Sequence, residues 1–221
     1  MTELLIDRAD IGIAWLLLAH GAGAPMDSDY MNGLTGCLNR QGISVARFEF
    51  PYMQRRREEG KKFPPNGIKQ LESSFHEAFV ELIKVELIKR ADKKLPLLIG
   101  GKSMGGRIAS MIADEWFAKD FPVAGVCCFG YPFHAPGKPE KLRIEHLLAQ
   151  QTPTLILQGT RDPFGKPETI KPLSLSKKVE IAWLESGEHD MKPLAISGLT
   201  QQDLWQQAAA EVNGFVKKLG G

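Results

Sequence analysis

The stretch Leu95-Pro96-Leu97-Leu98-Ile99-Gly100-Gly101-Lys102-Ser103-Met104-Gly105-Gly106 decides the fold. An apolar run of strand length enters it, and the residues after it place Ile108, Met111 and Ile112 on one helical face. Between strand and helix stands Ser103, with Gly101 and Gly105 two residues to either side. A turn this sharp brings its flanking positions so close that side chains there would collide, so glycine is favoured. The turn lifts the serine hydroxyl clear of the sheet and sets it at a helix N-terminus, where negative charge is favoured.

Outward from this turn the chain alternates strand and helix signals. Strands are expected at Ile13–Ala19, Ser44–Phe50, Leu95–Ile99, Val123–Phe129, Thr154–Leu157 and Val179–Leu184. Most are continuously apolar, the mark of parallel strands covered on both faces. Residues Ile68–Arg90 repeat apolar positions at helical spacing, and a last helix starts at Thr200-Gln201-Gln202-Asp203, a variant capping box. This order implies an α/β architecture, a mostly parallel doubly wound sheet flanked by helices with right-handed crossovers. At 221 residues, with no repeat and no long linker, the chain reads as one domain over its whole length. Two long loops are expected, Pro51–Asn66 and Gly130–Leu142, both beyond C-terminal strand ends, where open α/β sheets place ligands.

Composition excludes several function classes. A net charge of +2 gives no bulk attraction to nucleic acid or membrane, and neither is expected as a partner. The basic run Arg55-Arg56-Arg57 is read as a solvated loop partly neutralised by Glu58 and Glu59. Cys37, Cys127 and Cys128 have no metal-type spacing, and their odd number fits a reduced, cytoplasmic setting. No export signal is read in the first residues, and the apolar run from Ile11 is too short to span a bilayer. No metal or cofactor motif is present, and the glycines around Ser103 lack the spacing of a phosphate loop.

A serine hydroxyl needs a base to take its proton, and the base needs an orienting partner. Asp162 lies just past the strand Thr154–Leu157, and His189 just past Val179–Leu184, so both are expected at the same sheet edge as Ser103. Their order, serine then acid then histidine, is that of a nucleophile elbow of this type. Asp190, Glu188 and Glu185 compete as the acid, but they sit on the histidine's own loop. The developing oxyanion needs donors: the backbone N–H of Met104 and, from the loop His20-Gly21-Ala22-Gly23-Ala24-Pro25, that of Ala22. His20 is read as a support of that loop, Lys102 as pointing away from the hydroxyl, and His76 and His146 as helix-surface residues. Tyr131 and Phe133 are candidates to line the acyl pocket.

On these motifs, together with Phe48-Glu49-Phe50-Pro51-Tyr52-Met53 and Gly130-Tyr131-Pro132-Phe133-His134-Ala135-Pro136-Gly137-Lys138-Pro139, the chain resembles the serine branch of the α/β-hydrolase fold. Within it the chain is similar to the small, lidless group related to dienelactone hydrolases, which includes a hydrolase-like domain of a chromatin acetyltransferase complex and bacterial hydrolases. Dienelactone hydrolases use a cysteine where this chain has Ser103, so their substrate does not carry over. The resemblance implies that a lid would be inserted after Val123–Phe129, where Gly130–Thr152 is too short for a helical cap. It also implies that the N-terminal hairpin of larger members is truncated. The expected activity is cleavage of a small-molecule ester or thioester through an acyl-enzyme. The alternatives are a non-catalytic binding module, or a peptidase or acyltransferase using the same residues. The sequence carries no reading of oligomeric state.

Overall fold

The apolar runs do form strands, and they pair in the order that brings the late strands beside the early ones. The computed structural model describes residues 2–87 and 95–220. Its main sheet contains β1 (Leu5–Asp7), β2 (Ala14–Ala19), β3 (Ile43–Phe48), β4 (Leu97–Lys102), β5 (Val123–Phe129), β8 (Thr154–Gly159) and β9 (Val179–Leu184). Their order is β1-β3-β2-β4-β5-β8-β9, parallel throughout except for β1, which runs antiparallel along β3. Strands β2, β3, β4 and β8 are buried along their whole length, as their unbroken hydrophobicity demands.

Helices cover both faces, with a short helix α5 (Pro167–Ile170) between β8 and β9. On one, α3 (Ile68–Leu82) and α4 (Met104–Ala118) pack Phe75, Phe79 and Trp116 against Trp15, Leu17 and Ile99 of the sheet. On the other, α1 (Asp29–Arg40) and α6 (Gln201–Leu219) enclose Leu34, Leu38, Leu204, Val212 and Phe215. The start of α6 is the expected one. Thr200 accepts from the Asp203 N–H, and the Asp203 carboxylate accepts from the Thr200 N–H.

Several expectations are corrected. The first ten residues hold β1, too short to show a period but paired with Val45–Arg47 through the backbone. Strand β4 starts two residues and ends three residues later than expected, running from Leu97 to Lys102 straight through two glycines. Gly100 lies so close to the Cys127 carbonyl of β5 that a side chain would collide there. Pro51–Asn66 is not one long loop, because Pro51–Glu59 forms helix α2. Pro51 opens it with its φ already helical, and Gly60 closes it in the left-handed conformation at φ 64°. Gly130–Leu142 contains the small hairpin β6 (His134–Ala135) and β7 (Lys138–Leu142), turning at Gly137 with φ 70°. Helix α3 passes into a π-helical segment, Ile83–Leu87, and the end of the expected helix Ile68–Arg90 from residue 88 lies outside the described residues. Between β5 and β8 there is only the hairpin and a short 3-10 turn, His146–Leu148, so no helical cap covers the sheet edge. Among the described residues no helix is long and apolar enough to cross a membrane.

Candidate active site

Ser103 sits between β4 and α4 with φ 50° and ψ −113°, a conformation that L-residues rarely adopt. The neighbouring glycines show why it persists. A side chain on Gly101 or Gly105 would come within 2.7 Å of the Ala19 carbonyl, and one on Gly106 within 2.6 Å of the Gly101 carbonyl. The turn is thus pressed against β2 and its own strand. It is held there by the Ser103 N–H donating to the Phe129 carbonyl at 2.9 Å.

The Ser103 Oγ lies 2.9 Å from His189 Nε2, and His189 Nδ1 lies 2.8 Å from Asp162 Oδ2. With Nδ1 donating to the carboxylate, Nε2 is left to accept the serine proton. Asp162 is fully buried and is satisfied on every side: it also accepts from Gln158 Nε2 at 2.9 Å and from the Phe164 N–H at 2.8 Å. The Phe164 ring meets the imidazole edge to face, with centroids 4.6 Å apart. The loops after β8 and β9 are locked together where the Arg161 N–H donates to the Gly187 carbonyl at 2.9 Å. Gly159 and Gly187 touch too closely for any side chain at Gly159.

Two neighbours were not apparent from sequence. Gln158 Oε1 accepts from the Tyr131 N–H at 2.8 Å while its Nε2 serves Asp162, so one buried amide ties the acid to the loop after β5. Lys102 reaches the histidine's loop. Its buried ammonium donates to the His189 carbonyl at 2.7 Å and pairs with Asp190 at 3.1 Å. Burial pulls its pKa down, and the Asp190 charge opposes that. A polar residue closing an otherwise apolar strand is the only signal either gives in the sequence.

A cavity of about 810 Å³ opens beside the serine, within the usual range for small-molecule sites. Ser103, Met104, His189 and Ala22 all line it. Met104 is the first residue of α4, whose leading N–H groups have no partner within the helix. The Ala22 N–H donates to no acceptor among the described residues. Its loop is fixed from behind: His20 Nδ1 donates to the Gly21 carbonyl at 2.6 Å, the Phe50 N–H donates to His20 Nε2 at 3.1 Å, and the Tyr52 hydroxyl reaches the Gly21 and Ala22 carbonyls at 3.2 Å. Burial lowers the His20 pKa, which suits a neutral ring that accepts at one nitrogen.

Tyr131 and Phe133 do not line the cavity. Both are fully buried and meet edge to face with centroids 4.8 Å apart, and the Tyr131 hydroxyl donates to the Arg143 carbonyl at 2.7 Å. Pro132 between them reaches the cavity instead, because alternate residues point to opposite sides of an extended segment. The arginine run is not a solvated loop either. Arg57 binds Glu49 and Asp27, Arg55 binds Glu59, and Arg56 donates to the Phe63 carbonyl. His146 is half-buried, with Nε2 at 2.9 Å from Ser110 Oγ. No group of histidine, cysteine and carboxylate side chains among the described residues could hold a metal.

Residues 12–217 match the model of a family described as an alpha/beta hydrolase domain. The chain belongs to the α/β-hydrolase family. No curated protein matches its sequence. Among solved structures it is similar to a dienelactone hydrolase from Anabaena variabilis, with TM-score 0.66, 16% identity, and coverage of 94% of this chain and 88% of that one. It is also similar to a lidless α/β serine hydrolase from Xanthomonas campestris, with TM-score 0.59, 13% identity, and coverage of 98% and 86%. A third is the esterase domain of a Rhodothermus marinus protein, with TM-score 0.61, 16% identity, and coverage of 96% and 91%. At such identities the likeness establishes the fold alone, and in this chain that fold carries no helical cap between β5 and β8.

Proposed function

We propose that the chain is a serine hydrolase that cleaves esters or thioesters of small molecules through an acyl-enzyme. The observation that carries this reading is the unbroken line Ser103 Oγ to His189 Nε2 at 2.9 Å and His189 Nδ1 to Asp162 at 2.8 Å, opening on the cavity. As Ser103 Oγ bonds to the scissile carbonyl carbon, its proton passes to His189 Nε2, and the imidazolium is held by the Asp162 carboxylate. The Met104 and Ala22 N–H groups bind the carbonyl oxygen as it becomes anionic, each worth about 3–4 kcal/mol of barrier. Collapse of the adduct breaks the bond to the alcohol or thiol, which leaves with the proton from Nε2. Water then repeats the sequence on the acyl-enzyme and restores the serine.

The test is covalent labelling with a fluorophosphonate, alongside hydrolysis of short-chain p-nitrophenyl esters and acyl thioesters. Wild type is labelled and turns substrate over, and Ser103→Ala does neither. Labelling that persists in Ser103→Ala overturns the assignment.

A further inference from the structure

Arginine withdrawn from water is normally matched by an acceptor, because its charge is costly to leave unpaired. Elsewhere among the described residues that rule is kept. Buried Arg47 donates to Asp7, Asn32 and the Met26 carbonyl, and even the exposed Arg57 is paired, with Glu49 and Asp27. Arg107 and Arg143 depart from it. Both line the cavity beside Ser103, both are half-buried, and neither guanidinium donates to a protein acceptor among the described residues. The Arg107 Nε is out of solvent with no partner; the Arg47 Nε is too, but the other two Arg47 nitrogens are matched, and none of Arg107's is.

The surroundings leave this charge uncompensated. The third cation of the cavity, Lys102, is neutralised by Asp190. Near the arginines, the Asp114 carboxylate is occupied by Gln150 Nε2, the N–H groups of Gln151 and Thr152, and the Thr152 hydroxyl, while Glu145 is exposed and forms no ion pair with either. The two guanidinium groups stand close enough to repel: burial and then the Arg107 charge pull the Arg143 pKa down. Their placement is not accidental to the fold. Arg107 is one helical turn past Ser103, where Cβ atoms lie about 5–6 Å apart on one face. Arg143 is fixed through its backbone, its N–H donating to the Phe133 carbonyl at 2.7 Å and its carbonyl accepting from the Tyr131 hydroxyl at 2.7 Å. Its backbone is thus anchored while its guanidinium stays free for a ligand.

We propose that Arg107 and Arg143 form an anion subsite, so that the ester cleaved at Ser103 carries a carboxylate or phosphate group a few bonds from its scissile carbonyl. This rests on the reading of Ser103 as the nucleophile. The paired forks match the oxygens of such a group, and the hydrophobic remainder of the cavity, with Ile68, Leu71 and Ile108, takes the linking carbons. The anion replaces the missing internal partner and relieves the repulsion between the two cations.

The experiment compares kcat/KM for two matched pairs of esters. The first is p-nitrophenyl glutarate with a free carboxylate against its methyl ester, which puts the charge on the acyl side. The second is 4-carboxyphenyl butyrate against its methyl ester, which puts it on the leaving group. Wild type is expected to favour the charged member of at least one pair. Arg107→Gln and Arg143→Gln should each cut that preference by about tenfold, with the lysine variants falling between. No preference in either pair, or a preference that both glutamine variants leave unmoved, overturns the subsite. If wild type cleaves none of the four esters, the hydrolase reading fails separately. Titration of glutarate into the wild type then decides the subsite, supported by binding that Arg143→Gln weakens about tenfold and overturned by no binding.

Discussion

At the scale of single residues, the site depends on groups that touch no substrate. Lys102 precedes Ser103 yet grips the histidine's loop through the His189 carbonyl and Asp190. On the proposed mechanism Lys102→Met lets the imidazole drift, and a misplacement of about 1 Å costs on the order of a hundredfold in rate. The expected result is a fall in kcat of ten- to a hundredfold with KM nearly constant, and an unchanged kcat sinks this role. His146 gives a pH signature. Burial, then the Arg107 charge, pulls its pKa from 6.5 to about 4. The unfolded chain therefore binds the proton first as pH falls, so stability held above pH 6.5 is lost progressively towards pH 4. After discounting for a ring that is still partly exposed, the loss is about 2 kcal/mol. Urea melts between those pH values should show it in wild type, and His146→Gln should flatten the slope. Ser103, Asp162 and His189 were legible because each follows a strand at the same sheet edge, and order plus edge is a strong constraint. Tyr131 and Phe133 misled because an aromatic after a strand end reads alike whether it faces a cavity or the core. Gln158, Arg107 and Arg143 were silent, since what distinguishes them is a partner, or the lack of one, far along the chain.

Between residue and fold, the elements were legible in proportion to their periodicity. The long apolar strands and α6 announced themselves. Strand β1 did not, because three residues carry no period and its stability comes from pairing with β3. Helix α2 was hidden for a different reason: only Tyr52 and Met53 are buried, so it has no apolar stripe. It is held by charge instead. Glu49, 4% exposed just before the helix, receives Arg57 through both carboxylate oxygens and also accepts from the Met26 N–H at 3.2 Å. That N–H belongs to the segment following the Ala22 loop, so the pair couples α2 to the cavity wall. Arg57→Ala leaves the Glu49 carboxylate buried without its cation. With Arg57 itself 42% exposed, the cost is about 2 kcal/mol rather than the full penalty of a buried pair. For a chain of this size that lowers Tm by about 4–8 °C. Adding Glu49→Gln should recover part of it, and a Tm unmoved by Arg57→Ala refutes the ionic account of α2.

For the whole molecule, the sheet divides the protein into two layers, one on each of its faces. Cys127 and Cys128 are neighbours on β5, yet Cys127 faces the layer of α1 and α6 and Cys128 the layer of α3 and α4. Cys128 Sγ donates to the Gly106 carbonyl at 3.3 Å, directly beneath the turn that carries Ser103. All three cysteines are free and buried, and burial pushes each thiol up, furthest for the two on β5. A thiol must ionise and meet solvent to react, so each reports the opening of its own layer. The sequence could place both cysteines in a strand, but which layer each faces depends on the register of β5 between β4 and β8. If the two layers are one cooperative unit, Cys127 and Cys128 should react with a disulfide reagent in the native state at the same slow rate, that of global unfolding, and rapidly in concentrated guanidinium. Mass-spectrometric mapping of pulse-labelled protein measures this. Faster modification of Cys128 than of Cys127 would show that the layer under the Ser103 turn opens on its own. The strained Ser103 turn would then rest on a scaffold less rigid than its glycine contacts with β2 require.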